Sequence, residues 1–447
     1  MAAVCEPASG SGGVMTGPTA APHHRATDPS LPAWPLTAML AGFPLAWPLG
    51  LTTFAPIALA AVMLGLLARL GRCRLLPGVA PLLLFVAWAV PCGLMIDTGG
   101  RLAGWLLRLM TLATVAIVVV YVTNASEQVT RARVITGLTV VWVTVVVGGW
   151  LAVLAPELTF TTLLGYLVPH GLLGNQLVHD MFVPRMSEIQ TPWGAPTPIL
   201  RPAAPFPYAN SWGAAIVLLT PVAVAALLTS RHRWVRWAVS GLLLASIVPA
   251  VDSSNRGMFL GLGVSAAYVV LRLAIRGRVR MLGVLAVPGA VLAVLAVRLG
   301  AAARITDRLQ YSNSTEGRAS LYAETWRRTL QSPFFGWGAP RPSLYHEVSV
   351  GTQGYVWTVM FSYGLVGLLL FAVFLAGSVL RTWRVVDDVA LLMHASLVGA
   401  VAIVGFYGLD VMQLLTIGAL AAVLLRERAD RAMTPAPSSD RPAGVAA

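Results

Sequence analysis

A helix needs about 20 apolar residues to cross the hydrocarbon core of a bilayer, and runs near that length recur along almost the whole of this chain. They fall at about 36–50, 52–68, 79–96, 103–122, 134–154, 208–229, 235–251, 257–273, 281–299, 353–379, 389–406 and 411–425. Of the 447 residues, 57% are apolar and 11% charged, with a mean hydropathy of +0.75; an ordinary soluble domain carries about 25% charge. The sequence predicts an all-α fold, a polytopic integral membrane protein of about 12 transmembrane helices.

The connections give an independent reading of orientation, because cytoplasmic loops are enriched in basic residues. Alternate connections hold Arg69, Arg72 and Arg74; Arg131 and Arg133; Arg231, Arg233 and Arg236; Arg272, Arg276, Arg278 and Arg280; Arg381 and Arg384; and Arg426, Arg428 and Arg431. Those are expected to face the cytoplasm. The lightly charged IDTGGR, VDSSNRG and YGLD, with two long loops at about 155–207 and 300–352, then face outward, and both termini are cytoplasmic. The tails, 1–34 and 431–447, are rich in Pro, Ala, Gly and Ser and are expected to be disordered, leaving 35–430 as the membrane domain. No signal-peptide pattern precedes the first span.

The net charge of +13 is spent largely in cytoplasmic connections, where it orients the chain and meets anionic lipid, so no nucleic-acid partner is expected. All 31 basic residues are Arg. Without Lys there is neither Schiff-base chemistry nor a Walker-type phosphate loop, which argues against ATP-driven transport within the chain. Cys5, Cys73 and Cys92 make no zinc spacing or obvious disulfide pair. No metal or cofactor is expected.

Polar chemistry concentrates on the outer side. The 300–352 loop holds Arg304, Arg308, Arg318, Arg327, Arg328, Arg341 and His346. Within it Tyr322, Trp326 and Leu330 recur at helical spacing, which predicts a short amphipathic helix on the membrane surface. Asn313 and Glu316 form a capping pattern ahead of it, so Arg318 falls near a helix N-terminus, a place suited to phosphate. Arg256 stands at the threshold of an apolar run and its charge needs compensation. Asp252, four residues earlier, offers a simple ion pair as the plain alternative. GMFLG at 257–261 reads as close helix packing.

Taken in order, SSNRG at the outer start of a helix, a long outer loop with GR…W, SPFFGWG, and a helix opening YVWTVMFSYGLVGLLLF resemble the O-antigen ligase and polysaccharide polymerase family of bacterial envelopes. The similar region covers about 205–380. The resemblance implies a GT-C-like, metal-independent glycosyltransferase of the bacterial cytoplasmic membrane. It would move a glycan from an undecaprenyl diphosphate carrier to an acceptor hydroxyl, on another glycan or a lipid, at the outer face. On that reading Arg256 binds the carrier diphosphate and Arg318 takes the other phosphate, since guanidinium forks suit phosphate oxygens. Arg341, in GAPRPS, is a third candidate by proximity, and Arg327 with Gly338 fits an R-x10-G spacing of some polymerases.

One position departs from the family pattern. Where the family has a His-Asn pair opening the helix after the loop, this chain has Thr352 and Gln353. Gln is no base, so His346, with Glu347 beside it, is the candidate acid/base group, and Gln353 is left to orient the acceptor. Asp97 and Asp410, at outer connections, read equally as general base or solvated turn, and Arg108 as a snorkelling cation. The rival reading is a transporter or flippase of a lipid-linked or anionic solute, against which stands the crowding of ionisable groups at the outer mouth rather than the midplane.

Overall fold

A computed structural model of the chain describes residues 30–190, 198–300, 314–346 and 348–433. Most of the two predicted tails lies outside them. Leu31 is nevertheless packed in the core and the Tyr121 hydroxyl donates to the Pro32 carbonyl at 2.5 Å, so residues just before the first helix are already docked.

The described chain is mostly helical. It opens with α1 (Trp34–Ala41), α2 (Phe43–Leu49), α3 (Phe54–Arg69), α4 (Ala80–Ala89) with a 3-10 turn at Pro91–Met95, α5 (Gly99–Asn124) and α6 (Arg131–Leu154). The long connection after α6 carries α7 (His170–Leu173), α8 (Gln176–Phe182) and the antiparallel pair β1 (Ser187–Gln190) and β2 (Ile199–Pro202). Then come α9 (Ala209–Thr229), α10 (Arg233–Ala245), α11 (Ile247–Asp252), α12 (Arg256–Ile275) and α13 (Val279–Arg298). The long connection after α13 holds α14 (Ser314–Thr329) and a small pair, β3 (Arg341–Pro342) and β4 (Ser349–Val350), before α15 (Tyr355–Arg381), α16 (Asp388–Ile403) and α17 (Val411–Met433).

Among the described residues seven helical segments are long and apolar enough to cross a membrane: α5, α6, α9, α10 with α11, α12, α13 and α15. Helix α3, α4 with its 3-10 turn, and α16 are shorter apolar helices. The run predicted at 36–50 is divided at Gly42, where Pro44 follows, into α1 and α2. Thr98, Thr130 and Asp387 begin α5, α6 and α16 by accepting from a first-turn backbone N–H, at 3.4, 3.3 and 2.8 Å.

Helix α9 forms the centre of the bundle, packed by α6, α12, α16 and α17. Its apolar character all round suits that position. Gly257 and Gly261 of α12 lie where a Cβ would meet the Tyr407 ring and the side chains of Ile403 and Val217, so the GMFLG pattern is indeed a close-packing face. Helix α13 has no buried residue and lies at the periphery against α11 and α12.

The helix predicted in the second outer loop exists as α14, but its contacts differ from the expected stripe. Leu321 packs with Val350, Phe361 and Trp337, while Trp326 and Leu330 stay 45% and 49% exposed. The loop's SPFFGWG segment enters a break in α15. Gly364, at φ 70° and ψ −172°, interrupts that helix; the freed groups are satisfied when Trp337 and Gly338 N–H donate to Phe361 and Ser362 carbonyls at 2.8 and 2.9 Å, and Leu365 N–H donates to the Pro333 carbonyl at 2.7 Å. The Trp88 indole donates to the Tyr363 carbonyl at 3.0 Å. Irregular backbone at this depth is tolerable because each opened group finds a partner within the protein.

Candidate functional site

The candidate site is organised around the SSNRG turn. Ser254 adopts φ 48°, a left-handed conformation unusual for a residue with a side chain, and the turn separates α11 from α12. Asp252 therefore closes one helix while Arg256 opens the next, and the i, i+4 spacing expected to pair them is not a helical one. Asn255 fastens the turn: its Nδ2 donates to the Ala209 carbonyl at 3.3 Å, and its Oδ1 accepts from the Tyr407 hydroxyl. Arg256 is half-buried at the helix start.

The residue that sequence reading underrated is Arg201, on β2. It is 2% exposed, and its guanidinium donates to the Ser253 carbonyl at 3.1 Å and to Asn210 Oδ1 at 3.0 Å. Glu188 on β1 is its carboxylate partner at 3.6 Å. That carboxylate is shared, because Glu188 also accepts from the Ala209 N–H at the start of α9 (3.2 Å) and from Gln190 (2.9 Å). Burial presses the Arg201 pKa below its ordinary value; Glu188 and Tyr407 oppose the shift, and Arg318 adds to it. Arg318 is thus near enough to Arg201 for their charges to repel.

Helix α14 brings Arg318 there. On the same helix Tyr322 stacks on Trp357 with ring centroids 4.3 Å apart and donates its hydroxyl to the Gln353 carbonyl at 3.1 Å. Arg318, Gln353 and the SSNRG turn accordingly share one region. His346 is held to α14 by its Nε2 and the Ser320 hydroxyl, 2.7 Å apart. Glu347, Asn313 and the Glu316 side chain lie outside the described residues.

Two other expected phosphate ligands sit elsewhere. Arg341 donates to the Met95 carbonyl at 3.1 Å, pairs with Asp97 at 3.3 Å and lies over the Trp337 ring at 4.1 Å, so it clamps the loop to the α4–α5 connection. Asp97 is in turn paired with Arg101 at 2.6 Å, and that bond is the main reason its pKa falls below the carboxylate norm. Arg327 is exposed and bonds to the Ala323 carbonyl of its own helix at 3.3 Å. Neither touches the described partners of Arg201, which are Ser253, Asn210 and Glu188.

Asp410, at the start of α17, is not a solvated turn residue. Its Oδ2 is sealed with no hydrogen-bond partner, while its backbone N–H donates to Gln413 Oε1 at 3.1 Å. Burial raises its pKa, partly offset by the nearby Ser211 hydroxyl. Close by, the Tyr208 hydroxyl donates to Asp180 at 2.9 Å, and Arg185 pairs with Asp180 at 3.1 Å. Arg108, expected to snorkel, instead sits within α5 beside Tyr363 and Tyr355, and its Nε and Nη2, like the Tyr363 hydroxyl, are buried without a hydrogen-bond partner among the described residues.

No protein-family model matches the chain, and no curated protein matches it. Among the described residues no cluster of His, Cys, Asp or Glu is arranged to hold a metal ion.

Proposed function

We propose that the chain is an envelope glycosyltransferase of the O-antigen ligase and polysaccharide polymerase type, with about 12 membrane crossings and a GT-C-like plan. On this reading it lies in a bacterial cytoplasmic membrane with both termini inside, and moves a glycan from an undecaprenyl diphosphate donor to an acceptor hydroxyl at the outer face. The observation that carries the reading is the approach of Arg318 and buried Arg201 at the SSNRG turn that launches Arg256. Guanidinium groups brought close together favour a multiply charged anion. A diphosphate leaving group is such an anion, and its charge grows as the glycosidic bond breaks.

In the proposed step the acceptor oxygen bonds to the anomeric carbon, and the carbon–oxygen bond to the diphosphate breaks with its electron pair going to the phosphate oxygen. The hydroxyl proton passes to a base. His346 is one candidate; its imidazole is oriented by Ser320 on the helix that carries Arg318. Inversion at the anomeric carbon follows from direct displacement.

The transporter reading draws support from the interrupted α15 and the intramembrane Arg108, features shared with carriers. The two separate in one experiment: purified protein in detergent is given an undecaprenyl diphosphate oligosaccharide and no nucleotide. Glycan transfer, lowered about 100-fold or more by Arg256→Lys or Arg318→Lys because the bidentate fork is lost, is the expected result. No transfer, with solute flux retained in vesicles, overturns the enzyme reading in favour of the carrier.

A further inference from the structure

At the opposite, arginine-rich end of the bundle, a cleft of about 600 Å³ opens between the ends of α15 and α17, lined by Leu380, Arg381, Thr382, Trp383, Arg384, Arg428 and Arg431. Among the described residues no acidic residue lines it. Four acids near this end pair with other arginines, Asp387 and Glu427 with Arg131, Asp388 with Arg278, and Asp430 with Arg74, and Glu427 is also within electrostatic reach of Arg431. Arg428 and Arg431 give one hydrogen bond each to backbone carbonyls, of Arg381 at 2.6 Å and Glu427 at 2.9 Å. Among the described residues none of the four cleft arginines forms an ion pair.

The wall of the cleft is built rather than loose. Trp383 is clamped from behind by Arg272, which lies 4.6 Å from its ring and donates to its carbonyl at 2.8 Å. Arg272 also donates to the Tyr268 hydroxyl at 3.0 Å, and Tyr268 meets His394 Nδ1 at 2.7 Å. His394 Nε2 faces the Val379 carbonyl at 2.9 Å, so that nitrogen donates and Nδ1 accepts from Tyr268. The rim is apolar and faces outward: Leu380 is 71% and Trp383 48% exposed. An indole and a leucine beside guanidiniums at the end of a long apolar helix match the boundary between acyl chains and headgroups.

We propose that this cleft binds the phosphate headgroup of an anionic membrane phospholipid, with Arg381, Arg384, Arg428 and Arg431 as its ligands. Guanidinium forks pair with phosphate oxygens bidentately, and the apolar rim selects a lipid over a soluble phosphate by offering its acyl chains a surface. The inference does not depend on the reaction proposed at the outer mouth.

The test uses the full chain in neutral phosphatidylcholine nanodiscs containing a minor fraction of cardiolipin or phosphatidylglycerol, with retained anionic lipid counted by native mass spectrometry. The double variant Arg384→Gln/Arg431→Gln is expected to lower retention about thirtyfold. The triple variant Arg231→Gln/Arg233→Gln/Arg236→Gln, which removes more charge from another connection on the same side, is expected to leave it unchanged. Equal loss in both would mean general surface charge only and overturn the site. Displacement of the lipid by inorganic pyrophosphate at comparable concentration would also overturn it, since the cleft would then serve a soluble anion. Melting temperatures of both variants within a few degrees of the parent exclude misfolding as the cause; if the cleft variant instead unfolds, Trp383→Ala is expected to reproduce the loss, and full retention there overturns the proposal.

Discussion

Arg201 and Arg108 are buried guanidiniums with opposite prospects. Arg201 is bonded on several sides, so Arg201→Met strips Glu188, Asn210 and the Ser253 carbonyl of a donor and should cost on the order of 3 kcal/mol of stability, read as a lower thermal midpoint. Arg108 has two nitrogens without a hydrogen-bond partner among the described residues, and Arg108→Met is expected to raise stability by about 1–3 kcal/mol in resting protein, read as a higher thermal midpoint; a lower midpoint would show that the charge is compensated. Asp410 carries a pH signature. Its pKa is raised on folding, so its stability contribution is full below the ordinary carboxyl value of 3.8 and declines as pH rises through the folded value. Asp410→Asn should flatten that decline in a series of melts. Arg256 and Arg318 were legible because they stand in short motifs. Arg201 was not: LRP in a proline-rich loop looks solvated, and its burial comes from α9 and the SSNRG turn, which no local pattern announces.

At the scale of elements, the apolar runs declared the helices well, since period and length are local properties. The break in α15 was not readable in the same way. Gly364 sits in YGLVG, which reads as continuous helix, and the groups that replace its lost bonds come from SPFFGWG some thirty residues earlier. A Cβ on Gly364 would run into the Phe334 carbonyl and its positive φ is costly for any side chain. Gly364→Ala is therefore expected to lower stability by about 2–3 kcal/mol or more and to speed proteolysis of the second outer loop. Glu324 locks the same loop by accepting from Ser343 at 2.5 Å, Leu344 N–H at 3.0 Å and Arg328 at 3.2 Å. Burial alone would raise its pKa, but these bonds outweigh it and hold the carboxyl below the ordinary 4.5. The stabilisation is thus full above that value and lost as pH falls through the folded one. Glu324→Gln should cost about 1.5–3 kcal/mol at neutral pH and abolish the acid-induced rise in protease sensitivity.

At the scale of the molecule, the basic connections and the outer loops predict a single orientation, and this is checked by introduced thiols. Cysteines placed at Gly171 and at Ser343 should react with an impermeant reagent added outside intact cells, whereas Cys73, a native thiol exposed among the described residues, should react only after permeabilisation. Reaction of Cys73 from outside would reverse the whole assignment of faces. The general class was available from composition, because few charged residues leave no other solvent for such a chain. Which helices form the middle was not: α9 and α13 are similarly apolar, yet one is the central post and the other has no buried side chain. That difference is set by neighbours, through close approaches such as Gly261 to Val217.

The wedge of Pro333–Gly338 in α15 has a mechanical meaning. It moors the downstream end of the outer loop inside the bundle, so α14 cannot lift off as a free flap. Travel of Arg318 toward or away from Arg201 is thereby tethered a few residues beyond the end of its own helix.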